Sequence, residues 1–426
     1  MQPTPPGTAP TANDRPRPEH FGGPWGALTL TVVMPLVTFY LWSAVAHHEG
    51  SLWLPKSVAD LVAMVPAPTW QAAGILAVWL AFQAVLYVVS PGQIVHGRPT
   101  EHGERAEYRI NGLFAFGVTA VALIAALALG VVSPNAVLSQ WGPLLTLATL
   151  FAIAAAAWSY RAGRKRGHLE RSTGHPVYDF YLGTILNPRL GRHDLKFFFE
   201  SRIGMASWGA FAILLPAAEL ETHGSLSTPM LVVSLCQLLY IVDFFIFEST
   251  LLSMIDIIEE NLGFMLWFAF LVWMPFNFTL QQQYVLAARP ELSVAAGIGI
   301  ILLNVGGYYI FRSSNLQKQQ FRRDPSLPIW GKPPVSMDTA RGTKLLLSGW
   351  WGLARHANYL GDLMMGLAWC LACGFGSLVP YFYVLYFAPL LLDRERRDNA
   401  MCQRKYGKDW DRYCEKVPYR IIPFVF

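Results

Sequence analysis

The residues best able to do chemistry fall in three stretches of the second half of the chain. The first is LLYIVDFFIFESTLLSMIDIIEENLGF (238–264), which sets ionisable groups in an apolar run. On a helix, Tyr240, Phe244 and Glu248 share one face, with Asp243 one turn from Tyr240. Polar groups in such a run are costly and are functional candidates by default. Two readings stay open: hydrogen-bonded contacts between helices, or a pocket wall that supplies a proton donor. The second stretch joins NLQKQQFRRD (315–324) to LLLSGWWGLARHANYLGD (345–362). Lys318 and Arg322, at i and i+4, bring two cations together. A lone pair of this kind is usually an interface anchor. With Trp350, Trp351, Arg355, His356, Asn358 and Tyr359 beside it, it reads as a phosphate clamp next to an aromatic platform. The third stretch is LLLDRERRDNAMCQRKYGKDWDRYCEKVPYRIIPFVF (390–426), dense in charge and aromatic rings. A polybasic, lipid-binding tail is the general reading. Acids alternate with the bases here (Asp393, Glu395, Asp398, Asp409, Asp411), and Tyr406, Trp410, Tyr413 and Tyr419 point to a packed segment on the cytosolic side.

What must position these residues is a membrane-embedded helical bundle. The chain is 53% hydrophobic and 14% charged, against roughly 25% charged in soluble domains. Apolar runs predict about ten spans, near 24–46, 69–89, 112–132, 139–160, 204–220, 229–252, 262–279, 292–312, 357–374 and 376–392. With ten spans, every Lys and Arg except Lys56 and Arg289 lies on one side. The positive-inside rule makes that side, with both termini, the cytosol. The fold class is therefore an all-α integral membrane protein with a cytosolic C-terminal cap. Its expected organisation is a disordered Pro-rich tail over 1–22, a four-helix scaffold over 23–160 and a catalytic part over 161–426. The chain suits either an endoplasmic reticulum or a bacterial inner membrane.

Several chemistries are disfavoured. Cys370 and Cys373 form a CxxC inside an apolar run and read as small packing residues rather than a metal or redox pair. GIGIIL (297–302) lies in a span and lacks the third glycine of a dinucleotide loop. HExxH, P-loop and GxSxG motifs are absent from the sequence. No metal, nucleic acid or obligate protein partner is expected.

GHPVYDFYLGTILNPR (174–189) and LLDRERRDNAMCQRKYG (391–407) resemble the two signatures of the sterol reductase family. That family comprises delta-14 sterol reductases, 7-dehydrocholesterol reductases, fungal 24(28)-sterol reductases and the membrane domain of lamin B receptor. The resemblance runs from about Gly174 to Phe426, and the stretch ESTLLSMIDIIEENLGFM (248–265) looks most like the delta-14 branch. It implies NADPH-dependent reduction of a carbon–carbon double bond, most of all the 14,15 bond, in a sterol that enters from the bilayer. It also implies nucleotide contacts at Lys318, Arg322, Leu346, Trp351, Asn358, Tyr359, Asp398, Cys402, Gln403, Arg404, Lys405, Tyr406 and Tyr413. Asp393 departs from the signature, which has a basic residue there. An unactivated alkene must be protonated before it accepts hydride, and the expected acid relay is Tyr240 with Arg394 and Asp398, Glu248 being an outside candidate.

Isoprenylcysteine carboxyl methyltransferases share a similar RHxNY and tail, but are shorter and would lack the 174–189 signature. A non-catalytic relative would carry a basic soluble module at its N-terminus. A transporter would need mid-bilayer polar groups in both halves, whereas here they gather in the second.

Overall fold

In a computed structural model of the protein, residues 21–99, 105–165 and 171–426 are described. The expected disordered tail lies almost wholly outside them. The long helices are α1 (Gly23–His48), α2 (Trp70–Val89), α3 (Gly112–Ala128), α4 (Trp141–Lys165), α5 (Leu195–His223), α6 (Thr228–Ile246), α7 (Phe264–Ala288), α8 (Val294–Arg323), α9 (Ala357–Leu371), α10 (Phe382–Tyr406) and α11 (Lys408–Lys416). Each of the ten predicted spans falls on one of the first ten. Among the described residues, α1, α2 and α4 to α8 are long and apolar enough to cross a bilayer, and α3 is a shorter apolar helix. Side chains such as Val32, Trp70, Val121 and Leu302 are exposed, as suits a surface facing lipid. Three antiparallel hairpins decorate the loops: β1 (Gln93–Pro99) with β2 (Arg105–Ile110), β3 (Arg189–Leu190) with β4 (His193–Asp194), and β5 (Ser336–Asp338) with β6 (Lys344–Leu346).

The chain forms two compact units. The first takes Met1–Ser43, Leu54–Thr222 and Ile241–Thr279; the second takes Ala44–Trp53, His223–Tyr240 and Leu280–Phe426.

At the centre of the first unit is a buried ion pair. The Arg202 guanidinium meets Glu248 Oε1 at 2.6 Å, with both side chains almost wholly withdrawn from solvent. Three neighbours complete the cluster. Arg202 donates to Asn111 Oδ1, its guanidinium lies over the Tyr87 ring, and the Gly112 N–H donates to Glu248 Oε2 at 2.7 Å. Glu248 thereby caps the first turn of α3, where a negative charge is favoured. Arg202 sits in a π-helical stretch, Phe199–Met205, within α5.

The predicted face uniting Tyr240, Phe244 and Glu248 does not form. The α-helix ends at Ile246, and Glu248 opens a 3-10 turn over Glu248–Ser253. Past the helix end, Glu248 pairs with Arg202.

The polar groups of the 174–189 signature are structural here. Asp179 accepts from the Thr173 N–H at 2.6 Å and the Thr173 hydroxyl at 2.7 Å. The Gly183 carbonyl accepts from Asn261 Nδ2 at 2.9 Å, and the Ile185 carbonyl accepts from the Leu262 N–H at 2.9 Å. Together these bonds fasten the signature to the segment that follows the 3-10 turn.

In the second unit α8 and α9 touch backbone to backbone. A Cβ on Gly361 would lie 2.5 Å from the Gly307 carbonyl oxygen, and one on Gly307 would lie 2.7 Å from that of Gly361. Small residues permit this approach in a membrane, where packing rather than water exclusion drives helix association. Beyond the helices, Met337 of β5 packs with Trp410, Tyr413 and Val417 into a small core that also takes in Cys402 and Tyr406.

Breaking the Arg202–Glu248 pair from one side leaves a buried charge uncompensated. Arg202→Met or Glu248→Gln should each cost about 3–5 kcal/mol, whereas Arg202→Met with Glu248→Leu should recover much of that loss. Thermal unfolding in detergent checks the ordering.

Candidate active site

The second unit carries the sequence-predicted site residues and sets three of them, Lys318, Leu346 and Tyr413, against Trp351. Gly349, at φ +63, turns the chain into a short helix, Trp350–Leu353. A Cβ there would press within 2.3 Å of Gln317 Oε1, the oxygen that accepts from the Trp350 N–H at 2.9 Å. This turn delivers Trp351 into a buried seat, with its Nε1 donating to the Ser314 carbonyl at 2.8 Å. Lys318 then places its Nζ 4.0 Å from the centre of the Trp351 ring. That contact is worth about 0.5–2 kcal/mol and holds a cation beside an aromatic face. Leu346 packs on Trp351 with Phe321 and Ile329, and Tyr413 donates its hydroxyl to the Trp351 carbonyl at 3.3 Å.

Asp398 occupies the C-terminal part of α10, beyond the apolar stretch that ends near Leu392. His356, just ahead of α9, sets its Nε2 3.1 Å from Asp398 Oδ2 and stacks its ring on Tyr359 at 4.9 Å. Burial by itself would raise the Asp398 carboxyl. The His356 hydrogen bond, aided by the charges of Lys318 and Arg322, outweighs burial and holds it below the usual carboxylate range. Burial pushes the Cys402 thiol up to about 12, so this cysteine is protonated at neutral pH and inert as a nucleophile.

The remaining expected residues divide by exposure. Arg322, Gln403, Arg404 and Lys405 are solvent-exposed, and Asn358, Tyr359, Cys402 and Tyr406 are half-buried. Arg394 and Arg397 lie within electrostatic reach of the Tyr359 phenol, as do Asp362 and Asp398. Arg397 also pairs with Asp393 at 3.1 Å, so the residue that departs from the signature neutralises a neighbouring base. Tyr240 is placed by α6 in an aromatic cluster, 5.5 Å from Trp369 and 6.2 Å from Phe311 between ring centres. Trp369 in turn meets Tyr383 at 5.0 Å and donates to Asn304 Oδ1 at 3.0 Å.

Sequence reasoning did not single out Trp369 and Tyr383, and it read His356 only as part of a platform. The backbone that carries His356 is pinned from far along the chain. The Arg355 and His356 N–H groups donate to the carbonyls of Tyr419 and Arg420, at 3.0 and 2.8 Å. Among the described residues no cluster of His, Cys, Asp and Glu could hold a metal. What the site can hold is a polyanion with an attached ring. Cations stand beside Trp351, while His356 Nδ1 and Asn358 Oδ1 are buried with no hydrogen-bond partner, as befits atoms that complete a ligand's contacts.

The two signature-bearing regions find their counterpart in known proteins. The Ergosterol biosynthesis ERG4/ERG24 family matches residues 15–426. The chain belongs to this family. The ERG4/ERG24 match extends over the first four helices, which the sequence alone compared only in hydropathy. A Delta(14)-sterol reductase of Methylotuvimicrobium alcaliphilum is 44% identical over 95% of both chains. The mouse Delta(14)-sterol reductase TM7SF2 is 41% identical over 96% of this chain and 98% of its own. A 7-dehydrocholesterol reductase of Xenopus laevis is 36% identical over 93% of this chain and 91% of its own. Recognition of the ERG4/ERG24 sterol reductases from the two signatures is thus borne out, with the higher identities on the delta-14 side.

A carboxyl held below its ordinary range adds stability at pH above that range, and the stability is lost as pH falls through the lowered value. Asp398→Asn should therefore be less stable than the native chain at pH 7, and the deficit should close on acidification below about pH 4. Chemical denaturation followed across pH reads this directly.

Proposed function

We propose that the chain is an NADPH-dependent delta(14)-sterol reductase that saturates the 14,15 double bond of a sterol diene. The observation that carries the reading is the seating of Lys318 over Trp351 in the same unit as the Asp398–His356 pair. Names borne by relatives at 44% and 41% identity support the choice of bond.

The chain's residues fit the nucleotide in charge and in shape. Lys318 and Arg322 suit phosphate, and Arg404 and Lys405 at the end of α10 add cations at the same cytosol-side level. Trp351, Tyr406 and Tyr413 offer ring faces, and Leu346 lines the apolar side. The buried acceptors His356 Nδ1 and Asn358 Oδ1 suit the donors of an amide or a ribose. Bound NADPH supplies a hydride to the carbocation left by protonation of the alkene.

The protein's chemical task is to protonate the alkene in a dry place. Tyr240 is the group assigned to it: as its phenolic O–H bond breaks, a C–H bond forms at C15 and the cation rests on C14. That cation is tertiary and allylic in an 8,14-diene. The rings of Phe311 and Trp369 flank the half-buried Tyr240. Arg394 and Asp398 belong to the relay that restores the proton, with Asp398 as the ionised acceptor that orients it. Glu248, engaged by Arg202 and the Gly112 N–H, takes no part in this scheme.

Solubility separates the routes of the two reactants. A sterol dissolves in the bilayer and enters between helices, whereas a polyanionic nucleotide approaches from the cytosolic side, where the basic segments lie. Both termini face that side.

Purified protein with NADPH and a panel of 8,14-diene, 5,7-diene and 24(28)-ene sterols should consume NADPH only with the 8,14-diene, with mass spectrometry showing the 14,15 bond saturated. Reduction of the 5,7-diene instead would move the chain to the 7-dehydrocholesterol branch. Tyr240→Phe and Asp398→Ala should each lower turnover about 100-fold or more. Near-normal turnover in both would remove them from the relay.

A further inference from the structure

His356 is the one side chain in the nucleotide region with both ring nitrogens withdrawn from solvent and only one of them engaged. It is 5% exposed, with Nε2 on Asp398 and Nδ1 lacking any partner. Its position is enforced from several directions. The backbone N–H is held by the Arg420 carbonyl, the ring is stacked on Tyr359, and the preceding residue, Arg355, lies beside buried Glu395, which Arg420 also approaches at 3.4 Å. Such a frame leaves the imidazole little freedom to turn and bring Nδ1 to another donor.

The hydrogen bond to Asp398 decides which nitrogen carries the proton. An ionised carboxylate only accepts, so the neutral ring holds its hydrogen on Nε2 and offers Nδ1 as a bare acceptor. We propose that His356 is a positioning residue with two separate tasks: Nε2–H orients the Asp398 carboxylate, and Nδ1 accepts a hydrogen bond from an N–H or O–H group of the bound nucleotide. A phosphate cannot serve at Nδ1, because it presents acceptors there. The donors of NADPH are its carboxamide, its ribose hydroxyls and the adenine amine. Asn358 Oδ1, two residues on and also without a donor, makes this end of the site rich in acceptors, in contrast to the cations Lys318 and Arg322. This inference rests on the reading of the region as an NADPH site.

Two substitutions separate the tasks because their amides fall on different ring nitrogens. The Gln amide nitrogen replaces Nε2, whereas the Asn amide oxygen replaces Nδ1. His356→Gln should weaken NADPH binding about tenfold and lower kcat less than His356→Asn does. His356→Asn should lower kcat about tenfold and weaken binding less than His356→Gln does. A merely structural histidine would give the two variants parallel losses, and that result overturns the proposal. Adding His356→Asn to Asp398→Asn should cost kcat little beyond the Asp398 change alone, because His356 acts on kcat only through that carboxylate. NADPH carrying a 3-acetylpyridine ring in place of nicotinamide identifies the donor. If the carboxamide is bound, the native protein discriminates against the analogue and His356→Gln does not; if a ribose hydroxyl or the adenine amine is bound, the two proteins discriminate alike. Lys318→Ala is the control on the site itself. Unchanged NADPH affinity in Lys318→Ala would overturn the nucleotide reading and this inference together, whereas weakened affinity there with no split between the His356 variants overturns the inference alone.

Discussion

Hydrocarbon offers no hydrogen bonds, so each polar group drawn into this chain's interior has to find its partner within the protein, and those partnerships decide where helices start and stop. The Arg202–Glu248 pair shows the constraint at its strictest. Glu248 answers a guanidinium and the open N–H at the start of α3 together, so one carboxylate fixes the position of α5, the entry to α3 and the end of α6. A π-helical stretch in α5 and a 3-10 turn after α6 bring the two charges to each other. Both depart from regular helix, and both stand where a charge had to be met.

The second unit resolves the same constraint differently. Where α8 and α9 pass, the side chains are removed altogether at Gly307 and Gly361, and the backbones meet. Lys318 lies three turns beyond Gly307 on α8, and Asn358 and Tyr359 lie just before Gly361 on α9. The close approach therefore sets the spacing of the cationic and aromatic parts of the site before any ligand contact is considered. Ser314 and Gln317, facing inward from α8, accept the N–H groups of Trp351 and Trp350 and translate that spacing into ring positions.

How much of this could be read in the sequence follows from the range of each interaction. Hydropathy reports on every residue of a span at once, and the ten predicted spans all fall on helices. The asymmetry of Lys and Arg, a property of whole loops, is equally robust to local detail. Asp398 lies in the 391–407 signature, Lys318 and Trp351 before it and Tyr413 after it, so the resemblance names all four by their order along the chain. Glu248 was misplaced on the Tyr240 face because periodicity continues a helix until something announces its end. Nothing between Phe245 and Ser249 does so, since no proline or glycine intervenes. The partner that draws Glu248 away, Arg202, stands 46 positions upstream. The His356–Asp398 bond joins residues 42 positions apart, and Trp369 and Tyr383 are tied by packing alone. Pairings of that kind leave no periodic trace in a single chain.

The clasp of Arg355 and His356 by the carbonyls of Tyr419 and Arg420 also has a bearing on biogenesis. A ribosome completes α9 almost fifty residues before it makes Tyr419. During that interval the stretch bearing Trp351, Arg355 and His356 exists while the segment that satisfies the amides of Arg355 and His356 does not. Helices can enter the bilayer one after another, but the nucleotide region is completed only when the last of these segments folds back. A chain halted earlier would hold its helices yet lack the contacts that fix Arg355 and His356.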